Sequence, residues 1–256
     1  MDLIDDIIRS LHRLAGPNRP GASVHATIPK TCEIDVKVSE TISNCPNYPA
    51  YNNKTFGWDS KYQLTIDKAN CKISVTVKVK VTGTVTQAQK DAWKSAIEAK
   101  WSGKATFSCT GCDCPRALPV SIALQYVNSG EHYDVAAQAP GATADGRAGL
   151  GGTNSMTGWG TGDTVDVTHE FGHMLGNPEE YFTTNGVDYT NGGKKQGFRD
   201  SDGGIMNNPA NDPTLNNFEP IRKQVEKCLG NATCTTSQPE QAGDFPQNPS
   251  PDSAVA

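Results

Sequence analysis

The run His169-Glu170-Phe171-Gly172-His173-Met174-Leu175-Gly176 constrains this chain more than any other stretch. Residues 169 and 173 stand one helical turn apart, so both imidazoles leave one face and can grip one metal ion. Glu170 lies about 100° further round the helix, out of line with them but within reach of a water beside that ion. Zinc held by three protein ligands keeps a fourth position for water and lowers the pKa of that water to about 7. A neighbouring carboxylate can take a proton from it and later hand that proton to a leaving amine. The motif predicts a helix over about 165–176, capped by Asp163 or Thr164, that carries the parts for peptide hydrolysis.

The flanking residues narrow the reading. Gly176 lets the chain turn left-handed out of the helix, and the Pro178 of Asn177-Pro178-Glu179-Glu180-Tyr181 prevents it from resuming. Downstream, Gly203-Gly204-Ile205-Met206-Asn207-Asn208-Pro209 reads as a tight turn built around a methionine. The combination resembles the metzincin metallopeptidases, whose signature H-E-x-x-H-x-x-G-x-x-H is followed by a methionine turn under the zinc. Glu179 stands where that family has its third ligand, usually histidine; here the chain is similar to the snapalysin branch, which has aspartate there. The resemblance covers 169–181 and 204–207. It implies a zinc endopeptidase with Zn2+ on His169, His173 and an acidic third ligand, Glu170 as general base, and Met206 as an apolar floor. The third ligand stays open between Glu179, Glu180 and, on a thermolysin-like plan, Glu219. Several metzincins steady the oxyanion with a tyrosine just past the methionine turn, and this chain has none there. Tyr181 or Tyr189 could substitute, or the zinc could act alone.

Composition bounds the partners and the compartment. The 256 residues carry a formal charge of −5 with no basic cluster, which argues against nucleic acid and anionic membranes; the protein or peptide substrate is what the motif and the resemblance imply. No apolar run approaches the roughly 20 residues needed to cross a bilayer. The opening Met1-Asp2-Leu3-Ile4-Asp5-Asp6 lacks the basic start and apolar core of a secretory signal. Yet the cysteines at 32, 45, 71, 109, 112, 114, 228 and 234 predict up to four disulfides and an oxidising compartment. Cys228–Cys234, across a short loop after a helix, is the expected pair. Cys109-x-x-Cys112-x-Cys114 reads as disulfide-forming rather than metal-binding, since no histidine or fourth cysteine lies near it in sequence. In size and layout the chain is also similar to metallopeptidase domains at the C-terminus of some bacterial type VI secretion spike proteins. That resemblance implies delivery by the spike to the periplasm of a target cell. The alternative is an ordinary secreted peptidase without its leader.

The expected organisation is an N-terminal amphipathic helix and linker (1–21), one monomeric zinc metallopeptidase domain (22–234) and a disordered Pro/Ser/Gln/Asp-rich tail (235–256). Residues 33–39 and 62–66 alternate weakly, and Ile73, Val75, Val77, Val79 and Val81 alternate without a fault, as strands do. Thr86-Gln87-Ala88-Gln89 opens a helix that runs to Gly103 and puts Trp93, Ile97 and Trp101 on one core-facing side. Val120, Ile122 and Leu124 suggest another strand, and Asn216, Asn217 and Pro220 begin a last helix ending near Gly230. The segment 133–163 has few long apolar residues, and its piece 147–152 reads as a sheet edge or a flexible loop. These elements make the fold class α+β, and the metzincin resemblance implies a zincin-like build: a twisted mixed sheet against the active-site helix, with a methionine turn, a C-terminal helix and disulfide staples.

Other residues read as bland. His12 and His25 are solvated, His132 is a remote candidate for an upstream ligand, and Asp200-Ser201-Asp202-Gly203 is a polar turn lacking the glutamate of a calcium loop. Two other functions fit the motifs less well. One is a zinc hydrolase of a non-protein bond such as a peptidoglycan amide; the other is an inactive, disulfide-rich binding module.

Overall fold

The uninterrupted alternation after Lys72 becomes the centre of a sheet. In the computed structural model, β3 (Lys72–Thr82) buries Ile73, Val75, Val77 and Val79 completely. The structure describes residues 28–41, 55–139, 156–178 and 203–239, with the backbone of two short strand pairs between 183 and 195. The expected N-terminal helix, Cys45, the 147–152 piece, Glu179, Glu180, Tyr181, Tyr189 and the 200–202 turn lie outside these residues.

β1 (Lys30–Thr41) runs antiparallel to β2 (Thr55–Asp67), and β2 turns antiparallel into the first half of β3. β3 then pairs in parallel with β5 (Leu118–Tyr126) along 73–79 and with β6 (Tyr133–Gln138) along 79–82. β6 continues in parallel to β7 (Gly158–Gly160). β4 (Thr106–Cys109) joins β5 antiparallel and accepts β12 (Cys234–Ser237) on its other side. The eight strands form one mixed sheet in the order β1-β2-β3-β5-β4-β12, with β6 and β7 branching from β3. The short pairs β8–β9 (183–184 with 187–188) and β10–β11 (190–191 with 194–195) stand apart from it.

Helix α1 (Gln87–Trp101) starts with the expected capping box: Gln89 N–H donates to Thr86 Oγ1 at 3.3 Å and Thr86 N–H to Gln89 Oε1 at 2.9 Å. Its buried Trp93, Ile97 and Trp101 recur every fourth residue and so share a face. Both indoles spend their N–H inside the core, Trp93 on the Gly160 carbonyl at 3.2 Å and Trp101 on the Thr168 carbonyl at 2.8 Å. The α1 face thereby fixes β7 and helix α2 (Val165–Met174) against the sheet. After a 3-10 turn at Leu215–Phe218, helix α3 (Glu219–Cys228) buries Ile221, Val225 and Cys228.

Three expectations change. Cys228 does not pair with Cys234; the disulfides are Cys32–Cys228, joining β1 to α3, and Cys109–Cys234, joining β4 to β12. The reason is directional. Cys228 continues the core-facing stripe of Ile221 and Val225, while Cys234 sits directly opposite Cys109 in the β4–β12 ladder. Residues 235–237, expected within the tail, belong to the strand Cys234–Ser237, whose polar side chains gave no apolar alternation. The described residues of 133–163 hold two strands, one of which, Gly158-Trp159-Gly160, is buried throughout.

Candidate functional site

Helix α2 is a short helix buried on nearly every side: each residue from Val167 to Met174 is buried. Asp163 starts it, its Oδ1 accepting from the N–H groups of Val165 and Asp166, both at 3.0 Å, while Thr164 makes no side-chain cap. The helix closes as Gly176 predicts. Gly176 has φ +98°, its N–H donates to the His173 carbonyl at 2.9 Å, and the Asn177 N–H donates to the Gly172 carbonyl at 3.1 Å. These are the paired bonds of a Schellman closure. A Cβ on residue 176 would meet Pro220 Cβ at 3.1 Å and Ser60 Oγ at 3.3 Å, so glycine is required by space as well as by conformation.

Side chains from the sheet also donate to the carbonyls at this end. Trp58 Nε1–H donates to the His173 carbonyl at 2.9 Å, and Ser60 Oγ–H donates to the Met174 carbonyl at 2.7 Å. The Tyr133 hydroxyl reaches the carbonyls of Asp59 at 3.0 Å and Met174 at 3.3 Å, and accepts the Lys61 N–H at 2.6 Å. None of Trp58, Ser60, Tyr133 or Asn177 is a candidate from the sequence. Only the serine and tyrosine on otherwise apolar strand faces could have hinted at them.

His169 and His173 are each 2 % exposed and Glu170 is 4 % exposed. Ionisable groups are rarely buried together in a helix without a structural or chemical use. Each imidazole points Nδ1 at a main-chain carbonyl, His169 at Ile205 O and His173 at Asn177 O, both at 2.8 Å. A carbonyl only accepts, so Nδ1 carries the hydrogen and Nε2 keeps the lone pair on both rings. The ring centroids stand 5.0 Å apart at 88°, and Trp58 meets His173 edge-on at 5.7 Å. Two oriented Nε2 donors suit a borderline metal ion such as zinc.

Beneath the helix lies the turn expected around Met206. Asn207 N–H and Asn208 N–H both donate to the Gly204 carbonyl at 3.0 Å, and Met206 is fully buried. Its sulfur sits so close to Gly172 that a Cβ there would overlap it and would stand 2.9 Å from Trp101 Cζ2. Gly172→Ala is therefore expected to overpack this layer and to cost about 1–3 kcal/mol. A denaturant midpoint equal to that of the wild type would show that the turn and the helix are not in contact.

The remaining candidates separate. His132, just before β6, accepts the Lys78 N–H on Nδ1 at 3.0 Å and faces Glu33 with Nε2 at 3.4 Å. Burial lowers its pKa, with the Glu33 carboxylate opposing. Glu219 is held in a fork by Arg222, with Nε on Oε1 at 2.9 Å and an Nη on Oε2 at 2.6 Å, and accepts from Thr236 Oγ1 at 3.2 Å. Its bond with Arg222 holds the carboxyl below its ordinary pKa. Among the described residues no third His, Cys, Asp or Glu joins His169 and His173 in a group that could hold a metal. A cleft of about 630 Å3 opens beyond the helix exit between Val36–Ser39, Leu175–Pro178, Glu219 and Lys223, and His169, Glu170, His173 and Met206 do not line it. No protein-family model, no curated protein and no solved structure matches the chain.

Proposed function

We propose that the protein is a zinc-dependent endopeptidase of metzincin-like build, with His169, His173 and Glu179 as zinc ligands and Glu170 as general base. The observation that supports this reading most is the pair of Nδ1 bonds at 2.8 Å, which orient two adjacent buried imidazole rings above the Met206 turn. When bound, zinc supplies Lewis-acid chemistry, polarising the scissile carbonyl and bringing the pKa of water to about 7.

The chain's own residues do the rest. The carbonyls of Ile205 and Asn177 keep both rings in one tautomer and one orientation, and raise the basicity of Nε2. Glu170 accepts a proton from water as the water oxygen bonds to the peptide carbon. The same carboxyl then passes that proton to the amide nitrogen as the carbon–nitrogen bond breaks, and the carboxylate is restored. An acidic third ligand lowers the positive charge of the site relative to a histidine. The disulfides fit work outside a reducing cytosol, in secreted form or in the periplasm of a target cell.

Elemental analysis of purified protein tests this reading. Wild-type protein is expected to carry one zinc per chain and to cut an unfolded protein but not isolated cell wall. His169→Ala and His173→Ala are each expected to lose the metal, and full retention in both refutes the site. Glu179→Ala is expected to weaken zinc binding while Glu180→Ala keeps it. If Glu180→Ala or Glu219→Ala strips the zinc and Glu179→Ala does not, the metzincin-like register is wrong.

A further inference from the structure

The thiols of Cys71, Cys112 and Cys114 belong neither to the two disulfides nor to the histidine site. Cys71 ends the turn between β2 and β3; Cys112 and Cys114 lie between β4 and β5. The two segments are bound to each other through Lys68. Its ammonium donates to the Gly111 carbonyl at 2.9 Å, and its own carbonyl faces Cys71 Sγ at 3.6 Å and Cys114 Sγ at 3.7 Å. The Cys71 and Cys114 thiols thus converge on one carbonyl oxygen. Backbone conformations unfavourable for residues with a Cβ occur on both sides of the contact, at Cys71 (φ +48°) and Asp113 (φ +52°). The first is locked by Asp67, whose carboxylate accepts from Asn70 N–H at 3.0 Å and Asn70 Nδ2 at 2.8 Å.

We propose that Cys71 and Cys114 form a third disulfide, which staples the β2–β3 turn to the β4–β5 loop and leaves Cys112 outside the bond. Each thiol loses a proton and the pair loses two electrons to a small-molecule disulfide such as oxidised glutathione, whose sulfur–sulfur bond is reduced to two thiols. The chain's other two disulfides need the same class of oxidant. A metal held by the three sulfurs is the weaker reading, since no group of three potential ligands exists among the described residues. Burial pushes the thiols of Cys112 and Cys114 up, the latter to about 12, which slows thiol exchange in the folded protein.

Peptide mapping tests the pairing. Protein refolded with oxidised and reduced glutathione is alkylated in denaturant and digested without reduction. Trypsin together with a protease cutting on the amino side of aspartate separates Cys112 from Cys114 at Asp113. The expected product is the Cys71 peptide linked to the Cys114 peptide, retained in Cys112→Ser. In Cys71→Ser, Cys114 is expected to become alkylated. The Cys32–Cys228 and Cys109–Cys234 links in the same digest show that oxidation was complete. Alkylated Cys71 and Cys114 beside those two links overturn the proposal, as does a Cys71–Cys112 link or a metal ion retained by the three thiols.

Discussion

Glu170→Gln is expected to keep the fold and the zinc content while lowering peptide hydrolysis by about 10²–10⁴-fold, the usual contribution of a positioned general base. Glutamine matches glutamate in shape, so a side chain only 4 % exposed is exchanged without a cavity or a clash. What is lost is the capacity to carry a proton. His169 and His173 keep their carbonyl partners at Ile205 and Asn177, so the ligand geometry is untouched. Zinc analysis and peptide turnover on the same preparation separate the two effects. Near-normal turnover by the zinc-loaded variant would remove Glu170 from its role.

The second large effect is structural. Removing the Cys32–Cys228 bridge by Cys32→Ala with Cys228→Ala is expected to lower the melting temperature by about 10–20 °C. The bridge closes a loop with a sequence separation of 196. In the chain-entropy account a loop that long is worth about 5 kcal/mol, against a total stability of about 5–15 kcal/mol for a domain. The bridge also holds α3 on β1, and α3 carries the Pro220 that backs Gly176 at the end of α2. Thermal unfolding followed by circular dichroism, with reduced wild-type protein as the comparison, gives the shift. A double variant melting within a few degrees of the wild type would show that the bridge is not a principal staple.

Local chemistry was legible in the sequence where a pattern repeats within a few residues. β3 reads directly because its inward positions are all aliphatic, and α1 because Thr86 and Gln89 form a local box. β1 reads weakly because most of its side chains are exposed or half-buried and only Ile34 is buried in the core. Gly158-Trp159-Gly160 has no alternation to read, yet it is a strand held by Trp93 and by pairing with β6. The site divides the same way. The histidine spacing, the Gly176 exit and the Met206 turn are local, whereas Trp58 and Ser60 act on residues 115 and 114 positions away. Cysteine pairing failed for this reason too, since proximity in sequence says nothing about which way a helix stripe faces.

The dependence of helix α2 on distant partners has a consequence for the order in which the protein is made. A ribosome delivers Trp58, Ser60 and Trp101 before the helix, but Ile205, Met206 and Pro220 after it. Until residue 205 has been synthesised and has folded back, His169 has no carbonyl to fix its tautomer. Until residue 220 follows, the turn at Gly176 lacks its backing. The nascent chain therefore carries an incomplete histidine layer until helix α3 has been made, and the proposed site matures only when that helix docks.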